Sequence, residues 1–111
     1  MRSRYMKLLT KELEKAFRKV GSQEDVADPV VVAKFFNPTG GQTWLAMEYN
    51  PERKVFFGYV SLFNDHCNEL GDFSLEELES VRMPPFGLGI ERDMHFTPAP
   101  LSEVKARERI V

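Results

Sequence analysis

The chain has 111 residues, a formal net charge of −2, 42% apolar residues and 29% charged residues. That length suits a single domain, one able to bury roughly 65% of the surface its unfolded form exposes. The composition excludes a disordered chain and a collagen-like chain, and no run approaches the roughly 20 apolar residues of a membrane-spanning helix.

Residues 1–8 read as a basic arm leading into a helix. Thr10 is the candidate N-cap, and Leu9, Leu13, Ala16, Phe17 and Val20 fall on one stripe with the charged residues off it. Gly21 ends this helix, and residues 22–29 form a polar, acidic loop. Three strand-like runs follow at 30–36, 43–49 and 55–63, separated by turn signals at 37–41 and 50–54. Short turns favour antiparallel neighbours, so these runs predict a meander. The third run is apolar on both faces, with Val55, Phe57, Tyr59 and Phe63 on one and Phe56, Val60 and Leu62 on the other. Such a strand needs a cover on each side. Helices supply one cover, and a further element or a partner chain supplies the other. Residues 64–72 read as a loop. Ser74 and Glu77 form a capping box for a helix ending near Val81, before Pro84-Pro85. Residues 90–96 are an extended segment or a fourth strand, and Ser102 is the candidate cap of a short C-terminal helix carrying Val104 and Ile110. The expected fold is α+β, an antiparallel sheet of three or four strands packed against two or three helices.

Charge is distributed unevenly. Residues 1–20 carry a net +5, residues 21–104 a net −9 and residues 105–111 a net +2. Basic ends flank an acidic body, without the domain-wide basic footprint of a nucleic-acid binder. The aromatics on the strands lack the interleaved Lys and Arg of a base-stacking sheet, and only Lys34 interrupts them. Candidate phosphate contacts are confined to the ends, at Arg2, Arg4, Lys7, Arg107 and Arg109.

No set of residues completes a catalytic or cofactor-binding pattern. Cys67 is the single cysteine, which excludes an internal disulfide and a cysteine-based zinc cage. Asp65, His66 and Cys67 offer metal-ligand chemistry, but neighbours on an extended chain point to opposite faces, so no metal site is expected. Glu91, Arg92, Asp93 and His95 are the densest ionisable cluster outside the helices. An Asp–His pair can orient an imidazole as a general base, whereas the simpler reading is an ion-paired segment. Phosphate-binding glycine loops are absent, and Asp72, Glu76 and Glu77 would repel an anion from the start of the second helix. No cofactor and no enzymatic activity are expected. The first nine residues carry bases but no apolar signal core, which points to a cytoplasmic protein.

Several motifs occur together. They are Thr10-Lys11-Glu12-Leu13, the run Asp28–Pro38 (DPVVVAKFFNP), Trp44, Phe56–Val60 (FFGYV), Leu70–Glu79 (LGDFSLEELE) and Gly89–Phe96 (GIERDMHF). Over roughly residues 8–104 the chain resembles a family of small bacterial proteins of unknown function that is common on plasmids, phages and integrative elements. The resemblance implies the context of a mobile-element accessory protein and supplies no catalytic residues. In that context a small acidic protein is expected to bind another protein, possible anti-restriction interference with host defence included, or to form a homodimer. The expected protein contacts are the acidic edge Asp72, Glu76, Glu77 and Glu79, together with Glu91, Arg92 and Asp93. The alternative is a DNA- or RNA-associated factor that uses the basic ends.

Overall fold

A computed structural model describes residues 7–111. Its elements in chain order are α1 (Lys11–Val20), β1 (Val30–Val31), β2 (Ala33–Phe36), β3 (Thr43–Asn50), β4 (Val55–Ser61), β5 (Glu69–Ser74), α2 (Leu75–Ser80), β6 (Glu91–Arg92), β7 (Ala99–Pro100) and α3 (Leu101–Glu108). The class is α+β. The main sheet has five antiparallel strands in the order β5-β4-β3-β2-β6, and β1 pairs with β7 in a small second sheet. The count of three or four strands is therefore corrected to five. The added strand, β5, lies partly within 64–72, the run expected to be a loop. Its polar sequence hides it, because it is an edge strand that need bury little more than Phe73.

Local chemistry sets the first helix. The Thr10 hydroxyl accepts from Leu13 N–H at 3.2 Å, and Gly21, at φ 67°, donates its N–H to Phe17 O at 2.9 Å. Asn37 and Asn50 turn the chain into the next strands: Asn37 Oδ1 accepts from Thr39 N–H at 2.9 Å, and Asn50 Oδ1 accepts from Glu52 and Arg53 N–H at 3.0 and 3.1 Å. The expected single run 30–36 divides in two. Val32 and Ala33 both bury in the same core cluster, which breaks the alternation of one strand. Val30 and Val31 consequently pair with β7, and Ala33–Phe36 pair with β3.

The sheet is covered on both faces, as the third run requires. One face holds Phe17, Phe35, Phe56, Phe73, Leu75 and Leu78, with Leu8, Leu9 and Ile90. Phe56 is fully buried among rings, with centroids 5.7 Å from Phe17, 5.1 Å from Phe35, 4.8 Å from Tyr49 and 5.4 Å from Phe73. The other face holds Val31, Leu45, Met47, Ala99 and Val104, with Phe57, Tyr59, Leu101 and Ile110 packed against them. The second cover is thus α3 with the β1–β7 pair, a further element of this chain. The expected cap of α3 is corrected. Pro100 occupies the N-cap position, and the Asp28 carboxylate, 74 residues away in sequence, accepts from Ser102 N–H at 2.9 Å and Ser102 Oγ–H at 2.5 Å. Sequence spacing shows only local caps, so this long-range one was invisible.

Candidate functional site

The structure separates the expected protein-contact residues. Asp72 lies on β5 and Glu91 and Arg92 on β6, the two opposite edges of the main sheet. Four inter-strand steps of about 4.8 Å put those edges about 19 Å apart. Glu76, Glu77 and Glu79 are exposed on α2. Asp72 pairs in register with Phe57, on the sheet face opposite the cluster that buries Leu75 and Leu78 of α2. The acidic residues therefore do not form one surface.

The Glu91–His95 cluster resolves into a latch. Lys34 of β2 donates to Glu108 of α3 and lies 3.8 Å from Asp93, with the three side chains 18–27% exposed. Asp93 Oδ1 accepts from the backbone N–H of His95 at 2.9 Å, so this carboxylate holds the loop and does not orient the imidazole. Asp93 and His95 do line one shallow depression of about 210 Å³ with Arg107 and Glu108, and Glu91 does not line it. A general base there would lack its orienting carboxylate bond.

The turn at 65–67 departs from expectation. Asp65 Oδ1 accepts from Cys67 N–H at 2.9 Å, which curls the chain, and the donor atoms of Asp65, His66 and Cys67 all lie within 4.8 Å of one another. These are the residues that could hold a metal ion among those described. The segment is a turn and not an extended chain, so neighbouring side chains here need not point to opposite faces.

Of the basic ends, the described residues Lys7, Arg107 and Arg109 do not make one patch. Arg2 and Arg4 lie outside the described residues. Lys7 is exposed and precedes Leu8 and Leu9, which bury in the core on the α1 side of the sheet. Arg107 and Arg109 end the helix over the other face. Arg107 lies 3.9 Å from both Glu103 and Glu108, donates to Thr97 O at 2.9 Å and stacks 5.1 Å over Phe96. Arg109, at φ 56°, closes α3, and its carbonyl accepts from Asn64 Nδ2 at 3.1 Å.

What the structure does bring together is a groove on the α3 side, over β3, β4 and β5. Its volume is about 530 Å³. Met47, Phe57, Leu70 and Leu101 give it an apolar floor, Val26 and Pro29 lie in its loop wall, and Glu24, Glu48 and Asp72 supply its charges. Leu70 and Val26 are 51% and 48% exposed. The loop wall is fixed by Gln23, a buried side chain that sequence reasoning missed. Gln23 Nε2 donates to Val30 O and Met47 O at 2.9 Å, its Oε1 accepts from Val30 N–H at 2.6 Å, and its backbone N–H donates to Glu48 Oε2 at 3.1 Å. A glutamine in a polar loop carries no sequence signal of this role.

Beside the groove runs the outer edge of β5. Leu75 N–H donates to Lys54 O at 3.0 Å. By the antiparallel alternation, the N–H and C=O groups of Leu70 and Asp72 then point away from β4. Among the described residues, no strand pairs with that edge. Exposed Leu62 and Phe63, at 44% and 77% exposure, share a depression with Glu69, Gly71 and Asp72 of this strand.

No helix among the described residues is long and apolar enough to cross a membrane. No curated protein and no solved structure matches the chain. The family model described as protein of unknown function (DUF2958) matches residues 8–109, from the first buried leucine through α3 with Arg107 and Arg109, and the chain belongs to that family.

Proposed function

We propose that this domain is a non-enzymatic protein-binding module, a cytoplasmic accessory protein of a bacterial mobile element that engages another protein and so interferes with host defence. The observation that carries the reading is the open edge of β5, with outward backbone groups at Leu70 and Asp72 and exposed apolar side chains beside it. An unpaired strand edge of this kind is a template for an added strand, and natural proteins usually blunt it with lysine, proline or a cover. β5 carries neither lysine nor proline; its charges are Glu69 and Asp72, which leave the edge open to a strand that sets no acid against them. The mobile-element context rests on the motif resemblance alone.

The test is capture of partners from bacterial lysate by tagged protein, with and without nuclease, alongside Leu70→Pro. The proline blocks the edge while removing an N–H that β4 does not use. A protein partner that survives nuclease and is lost with Leu70→Pro supports the module. Retention that vanishes with nuclease transfers the function to nucleic acid and to Arg2, Arg4, Lys7, Arg107 and Arg109. Retention unaffected by Leu70→Pro refutes the edge as the contact.

A further inference from the structure

We infer that the groove over β3, β4 and β5 binds a cationic peptide segment, one whose apolar side chain seats on the floor while its lysine or arginine meets the carboxylates of the walls. The inference rests on the protein-binding reading and names the chemistry of the partner. Three observations lead to it. The groove's volume of about 530 Å³ falls within the roughly 300–1,000 Å³ of clefts that hold ligands. Among the described residues its charged lining is Glu24, Glu48 and Asp72, with no lysine or arginine. The neighbouring depression, which shares Glu48 and Asp72, also carries Arg18 and Arg53, so a uniform sign of charge belongs to this groove and not to the whole region. Complementarity of charge chooses the partner and steers its approach, while the apolar floor supplies the area buried.

The groove is also preformed. Gln23 ties the 22–29 loop to β1 and β3, and the Asp28–Ser102 bonds tie the same loop to α3. A wall held from both ends loses little conformational freedom when a peptide docks. A second copy of this chain is a poorer occupant. Pairing two β5 edges about Gly71 would set each Asp72 opposite the other copy's Leu70 and diagonal to the other copy's Asp72 on the same face, an unfavourable like-charge neighbour.

The probe is a labelled hexapeptide of alternating lysine and leucine, read by fluorescence anisotropy and by amide chemical shifts. Two controls replace its lysines with glutamate or its leucines with serine. The lysine–leucine peptide is expected to shift the resonances of Val26, Phe57 and Leu70. Both controls should bind at least about tenfold more weakly, as the loss of charge pairing or of apolar burial requires. Glu48→Gln and Asp72→Asn should each weaken binding by about two- to fivefold, with the salt dependence reduced. Shifts confined to other surfaces, or equal binding of the glutamate peptide, overturn the inference. So does self-association in sedimentation that shifts these same resonances. If the peptide fails while a nuclease-resistant partner is still lost with Leu70→Pro and kept with Asp72→Asn, the cationic occupant is refuted and the module stands.

Discussion

Gly58 is a position where β3 and β4 approach too closely for a side chain. It faces Ala46 in register, next to the irregularity between Ala46 and Glu48. A Cβ built there would lie 2.0 Å from Leu45 O, 2.9 Å from Leu45 C and 3.0 Å from Ala46 Cα. All three are backbone atoms, so no side chain can rotate away. Gly58→Ala therefore forces β3 and β4 apart by more than 1 Å or breaks their ladder. Overpacking costs about 1–3 kcal/mol when side chains can yield, so a backbone clash belongs at or above about 3 kcal/mol. For a domain of this size about 3 kcal/mol lowers the melting temperature by about 12–24 °C. Gly71, the register partner of Gly58 on β5, is the internal control, because a Cβ there meets nothing within 4 Å. Gly71→Ala should be neutral or stabilising by up to about 1 kcal/mol. Urea unfolding followed by far-UV circular dichroism measures both. If the two variants differ by less than about 0.5 kcal/mol, the close approach of β3 and β4 is wrong, and with it the placement of Phe57 and Leu70 in the groove.

Other expectations follow from the same geometry. Lys34→Met removes the cation that Asp93 and Glu108 share and should cost about 1–3 kcal/mol in urea unfolding; a loss below about 0.5 kcal/mol would show that the latch does not hold α3 to β2. The Ser102 hydroxyl and N–H hold the Asp28 carboxyl below its ordinary value, so its stabilisation of α3 is complete above the unfolded carboxylate range and fades as pH falls through the folded value. Asp28→Asn should remove that acid-side dependence in a pH series of unfolding curves. Burial, with the charges of Glu14 and Glu79, raises the Tyr49 phenol above its ordinary value of 10.0, so its contribution is complete below the unfolded pKa and is lost as pH climbs from there through the folded one. Absorbance titration of wild type against Tyr49→Phe should show the late-ionising phenol disappear.

The elements that were legible in the sequence are those whose signals are local. Thr10 and Ser74 cap α1 and α2 through their own side chains, at 3.2 Å in both cases, and the turn residues Asn37 and Asn50 sit where the strands reverse. The two-faced third run likewise demanded two covers, and Phe56 and Phe57 indeed serve different clusters. What escaped was non-local. The split at Val32 depends on which chain lies alongside, Pro100 and Ala99 for β1 and the main sheet for β2. β5 has too little apolar alternation to announce itself, because half of an edge strand faces water.

The same division governs the candidate site. Composition identified acids on the body of the protein, and Asp72 does line the groove, but the groove's character comes from residues that share no sequence neighbourhood. Val26 and Pro29 come from a loop, Met47 and Glu48 from β3, Phe57 from β4, Leu70 and Asp72 from β5, and Leu101 from α3. Each has an ordinary reading by itself, as core or as solvated surface. Their meeting is produced by two long-range ties that no periodicity encodes, Gln23 to Met47 and Asp28 to Ser102. Those ties also make the site's integrity separable from its charge. Removing the Asp72 carboxylate alters the potential and leaves these ties in place, whereas Gln23→Leu strands Val30 N–H, Val30 O and Met47 O and should cost about 2–3 kcal/mol. A partner that tolerates Gln23→Leu but not Asp72→Asn would read charge in a yielding loop; one that tolerates neither would read a preformed groove, which is what the bonding of Gln23 supports.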